Sequence, residues 1–169
     1  MKMKLLYATA VGTLLSITPA HAGTATGQVD MRLGVVTSCT VIGAGSLIDF
    51  GNVPAEDVTG LNIDADTTAS GGAGFQVDCN GSAVSAVLTF GSGLNDVGSE
   101  RFMADAAGFK IPYGLYLDPG RVKLADPGRA EVVVLVDGNN NFDFYARIPS
   151  GTVLPVGSYA DIIPLTLTF

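Results

Sequence analysis

Four oxygen-bearing side chains stand at alternate positions in one short stretch: Asp137, Asn139, Asn141 and Asp143. A DxNxNxD run has the spacing of the first four ligands of a calcium-binding loop. Two departures count against that chemistry. Phe142 takes the sixth place, where the tight turn wants glycine, and Ile148 takes the twelfth, where a bidentate glutamate would close the shell. Gly-Asn-Asn between two strand-like runs is also ordinary hairpin chemistry. The four residues stand as a weak metal candidate, and no metal is expected.

Other catalytic constellations are harder to assemble. The single histidine, His21, lies in a leader expected to be removed, which leaves no histidine for a triad, a general base or a His-containing zinc site. Aspartates are plentiful but dispersed among turns, where solvated loop acids are the simple reading. Glycine-rich stretches at 43–45, 71–74 and 91–98 lack the lysine and the strand-to-helix context of a phosphate cradle. Phe109, Tyr113, Tyr116, Phe142, Phe144 and Tyr145 offer a sugar-binding face in principle, with core packing the better account. Neither an enzyme nor a cofactor is expected.

The elements that must position any site begin after a leader. Lys2 and Lys4, an apolar run too short to span a bilayer as a helix, and Ala20-His21-Ala22 together read as a signal peptide over residues 1–22. Cleavage would leave 147 residues, enough for one domain with a real core, and would take the net charge from −7 to about −9. An acidic chain with scattered basic residues carries no nucleic-acid footprint and no polybasic membrane patch. In an oxidising compartment, Cys39 and Cys79 are read as a structural disulfide. Redox chemistry would favour a close CxxC pair, which is absent.

Abundant glycine (22 residues) and short β-branched and aromatic clusters predict an all-β sandwich. Strands are expected near GQVDMRLGVV, SCTVI, SLIDFG, GFQVDC, AVSAVLTF, KIPYGLYLD, AEVVVLV, FDFYARI and YADIIPLTLTF. Turns are expected at sites that include 79–82, 91–99, both DPGR copies and 137–141. Residues 51–74 read as a long connection with short strands in it.

The two ends do not match. In the last segment Ile163, Leu165, Leu167 and Phe169 alternate with Pro164, Thr166 and Thr168, marking one buried and one wet face. No residue follows Phe169 to turn back and pair with that strand. Near the other end Val29, Met31, Leu33 and Val35 interleave with Asp30, Arg32 and Gly34 in the same period. One end is expected to lack a strand and the other to carry a spare, which points to strand exchange between chains.

The linked set SCTV, IDFGNV (48–53), QVDCNGS, LTFGSG (88–93), RFM (101–103), IPYGLYLD (111–118), FDFYARIP (142–149) and the closing PVGSYADIIPLTLTF resembles the spore coat protein U family. That family includes secreted subunits of archaic chaperone–usher pili, and the resemblance spans essentially the whole mature chain. It implies an incomplete immunoglobulin-like sandwich that lacks its last strand and is completed by a donor strand from another chain. The implied organisation is a signal peptide at 1–22, a donor-strand extension at 23–36 and a pilin domain at 37–169. The donor would be residues 26–36, plugging with Val29, Met31, Leu33 and Val35. The acceptor groove would include Ile163, Leu165, Leu167 and Phe169, with a chaperone gripping the terminal carboxylate.

The implied partners are other copies or related pilins, a periplasmic chaperone and an outer-membrane usher, with export through the periplasm to the cell surface. Surface adhesion or biofilm formation is the implied role, and direct membrane insertion is not expected. Two alternatives stay open. Residues 26–36 are otherwise the first strand of this chain's own sandwich, or the protein is a monomeric secreted binding module, for example for carbohydrate, that completes its own fold.

Overall fold

Alternating apolar and polar residues build the centre of the molecule. In Phe75–Asn80 (β3) every odd residue is buried, and in Val84–Phe90 (β4) Ala86, Leu88 and Phe90 are. The computed structural model describes residues 26, 28–42, 46–55, 60–69 and 74–169, and the expected signal peptide falls outside them. Two units are distinguished, one reaching Gly34 and one comprising Val35–Phe169.

The described residues of the first unit form no strand. Val29, Met31 and Leu33 are 84%, 91% and 89% exposed. Among the described residues, the strand expected near 27–36 is therefore absent. A single extended segment has no ladder in which to place its backbone hydrogen bonds, and alternation alone does not supply one.

The second unit is all-β in its described residues, with three antiparallel sheets. The first runs β1 (Ser38–Ile42), β3, β8 (Gly138–Phe142). The second runs β10 (Leu165–Thr168), β4, β7 (Ala130–Leu135). Phe75, Val77 and Cys79 of the first sheet share one core cluster with Ala86, Leu88, Phe90 and Leu135 of the second. The two sheets thus form a sandwich. Their strand order follows the immunoglobulin pattern, with the place beside the last strand empty among the described residues. The third sheet runs β2 (Ile63–Asp66), β9 (Tyr145–Ile148), β6 (Lys110–Tyr116), β5 (Arg101–Ala104).

Cys39 and Cys79 face each other in the β1–β3 register and are joined as a disulfide. Two chain crossings between the first and second sheets are set by specific polar groups. At β3–β4, Gly81 adopts φ 117° and its N–H donates to Asp137 Oδ1 at 3.0 Å. At β7–β8, Asn140 is buried; its Oδ1 accepts from Val136 N–H, and its Nδ2 donates to the carbonyls of Val136, Gly138 and Val77.

Several expected boundaries move. Residues 46–51 form no strand. The turn expected at 137–141 lies earlier, because 138–142 pair with β3 as β8. FDFYARI is not one strand: the chain leaves the first sheet after Phe142 and joins the third at Tyr145. Between them Phe144 drops into the core, edge-on to Phe90 at 5.8 Å. The C-terminal strand is shorter than expected, starting only after Pro164.

Candidate functional site

β10 has β4 on one side and, among the described residues, no strand on the other. Its register fixes which backbone groups face outward. Gly91 N–H donates to Pro164 O at 2.8 Å, so Pro164 faces β4. Phe90, opposite Leu165, spends its N–H on Arg129 O and its carbonyl on Gly128 N–H, both on the β7 side. Leu165 is therefore in a non-hydrogen-bonded pair, and by the period of two so is Leu167. The N–H and C=O groups of both point away from β4, along the open edge.

The same residues carry the apolar side chains. Ile163, Leu165 and Leu167 pack against the core cluster but remain only partly buried, while Pro164, Thr166 and Thr168 are exposed. Phe169 is 52% exposed. Among the described residues the arrangement is an open strand edge with unpaired backbone groups above a half-covered apolar row. Its chemistry suits the acceptance of one further alternating strand.

The approach to β10 is strapped down. Tyr113 Oη donates to Asp161 Oδ2 at 2.6 Å, and the Asn95 side chain donates to Asp161 Oδ1 and to Ala160 O. Ala104 and Ala160 exchange backbone hydrogen bonds at 3.0 and 3.1 Å. Burial first, and the neighbouring Asp161 carboxylate second, push the Tyr113 phenol well above its ordinary range, so it stays a donor. Gly93 lies where a Cβ would come within 2.0 Å of Asp161 Oδ2.

Pro164 has no N–H to give to Gly91 O. Arg101 supplies it instead: Nη2 donates to Gly91 O at 3.0 Å, and Nη1 donates to Ala125 O. The Arg101 side chain is buried, and desolvation pulls its pKa down, opposed by Tyr113 and by Asp96, Asp126 and Asp161. Arg101 and Asn140 are structural residues that pattern reading did not single out. Both bond mainly to backbone carbonyls, which leave no trace in residue type or spacing.

The remaining sequence candidates are dispersed. Asn139 and Asn141 lie along extended β8, Asp137 is engaged by Gly81, and Asp143 accepts from Asn141 Nδ2. An extended strand cannot converge such oxygens on one ion. Among the described residues no group of three or more His, Cys, Asp or Glu side chains comes together. Tyr113 and Tyr116 line an open cleft of about 390 Å³ with Arg101. Tyr113 and Arg101 there are already committed to Asp161 and to backbone carbonyls.

The chain is 29% identical to Protein U of Myxococcus xanthus over 173 residues, covering 95% of this chain and 94% of that protein. It is also similar to a chain of the CsuC–CsuE chaperone–tip adhesion subunit pre-assembly complex from the archaic chaperone-usher Csu pili of Acinetobacter baumannii. That similarity has a TM-score of 0.49 at 13% identity, and covers 80% of this chain but 40% of the other. The family model for the Spore Coat Protein U domain matches residues 25–166, and the chain belongs to that family.

Proposed function

We propose that this protein is a structural subunit of an extracellular filament of the chaperone–usher type, polymerised by donor-strand complementation and serving surface adhesion or biofilm formation. The observation that carries the reading is a complementary pair in one chain. β10 offers an open edge over half-buried Ile163, Leu165 and Leu167, while Val29, Met31, Leu33 and Val35 stand exposed with the same period. Burying four such side chains is worth about 6–12 kcal/mol before entropy. Pairing would also cover an edge that otherwise invites aggregation. A one-residue slip would turn the apolar set outward, so register is specified.

Chain reach argues that the donor is a second copy. β1 begins at Ser38, opposite Asn80, at the same end of the sandwich as Thr168. A donor running antiparallel to β10 would end with Val35 beside Ile163, about 20 Å from that end. Val36 and Thr37 alone separate Val35 from Ser38, a span of about 10 Å. An antiparallel donor thus comes from another subunit, giving a head-to-tail, propagating contact. On this reading a periplasmic chaperone occupies the groove first and grips the carboxylate of Phe169, and an outer-membrane usher exchanges it for the next subunit.

Leu33→Asp tests the reading. The substituted chain is expected to stay folded with its chaperone and to lose polymerisation. Normal filaments from that variant would sink the donor assignment.

A further inference from the structure

The outer face of the β10–β4–β7 sheet has a composition that the acceptor groove does not explain. Across the strands the outward side chains form rungs, Thr168–Val87–Val132 and Thr166–Thr89–Ala130, followed by Ser85–Val134. Every one is Ser, Thr, Val or Ala, and none is charged, in a chain with sixteen acids and nine bases. Val132 and Val134 are 69% and 65% exposed. Edge strands are usually blunted with charge, and β7 carries none on this face.

We infer that this face is a lateral contact between copies of this chain in neighbouring filaments, an inference that rests on the polymer reading above. Charge selects the occupant. An anionic partner would need basic groups and a sugar would want an aromatic platform, and the face has neither. Mature copies, at a net charge of about −9, repel where their acids face one another, and that repulsion is least across an uncharged patch. Short β-branched side chains interdigitate readily when two such sheets stack about 10 Å apart. The face is also continuous with the acceptor edge. A strand added to β10 would extend the sheet and bring Asp30 and Arg32 to its margin, bounding the uncharged area with one charge of each sign.

Size sets the mode of action. A stable interface uses about 20–30 residues a side, and this face offers far fewer. A single contact is too weak to dimerise free subunits. Repeated at each subunit along two filaments, the contacts act together and hold a bundle.

The test compares sheared filaments of the wild-type chain with those of Val132→Glu/Val134→Glu, imaged by negative-stain electron microscopy across a sodium chloride series. Heat-labile ladders on gels confirm polymer in both. Wild-type filaments are expected to bundle, more so as salt screens their net charge, while the double variant forms the same ladder and stays as single filaments. If the double variant does not polymerise, Ser85→Glu on β4 reads the same face. Wild-type filaments that stay separate at every salt concentration, or polymerised variants that bundle as well as wild type, would overturn the inference and leave the polymer reading standing. No wild-type ladder at all would overturn both.

Discussion

Arg101 shows what a single residue does here. Its guanidinium stands in for the N–H that Pro164 lacks and ties Gly91 and Ala125 together beneath the start of β10. Arg101→Met would leave two carbonyls without their donor, and we predict a loss of about 2–4 kcal/mol in urea denaturation of the purified chain. Asp64 has a different dependence. The Arg147 hydrogen bonds, at 2.7 and 2.8 Å, together with the nearby Arg121, hold its carboxyl below the ordinary range and link β2 to β9. A depressed carboxyl contributes stability that is present above its unfolded pKa and lost as pH falls through the folded one. The third sheet should therefore weaken in acid below about pH 4. In Asp64→Asn that part of the acid slope should disappear, readable by hydrogen exchange of β2 and β9 between neutral and acid pH. The exposure of the pair keeps the effect small. Pattern reading found neither role, because Arg101 looks like any scattered basic residue until the fold removes it from water. Asn140 stands between the alternate members of the calcium-like run; its inward side chain sets the β7–β8 crossing, while Asp137 serves the β3–β4 one.

At the level of elements, the clustering of β-branched and aromatic residues placed strands at β3, β4, β6 and β7. Alternation could not show that the chain changes sheets between Phe142 and Tyr145, because both halves alternate equally well. Nor could it separate 28–36, which alternates but pairs with no strand among the described residues, from a strand that has a partner. The short β5 was missed for want of alternation; its role comes from pairing with β6 and from holding Ala160. Two variants test how these elements hold the acceptor edge. Gly93→Ala would drive a Cβ into Asp161. It should release the Tyr113 clamp and destabilise the chain by about 1–3 kcal/mol, with slower strand uptake measurable by binding of a peptide of residues 26–36. Cys39→Ser/Cys79→Ser unties β1 from β3 across a separation of 40 residues. The expected cost is about 3–4 kcal/mol, seen as a lower urea midpoint that reduction of the wild-type chain should reproduce.

For the whole molecule, the proposed function gives one chain both halves of an intermolecular joint, an open sandwich edge and a segment to fill a neighbour's. Under that proposal stability would be inseparable from assembly, because burying the four donor side chains of one copy would complete the core of the next. The direct measurement is a denaturing gel of sheared surface material from cells making this chain, run with and without boiling and probed for the mature chain. The account predicts a ladder at subunit multiples in the unboiled lane that collapses to one band on boiling and is absent for Leu33→Asp. A single monomer band in both wild-type lanes, with folded protein free in the medium, would contradict it.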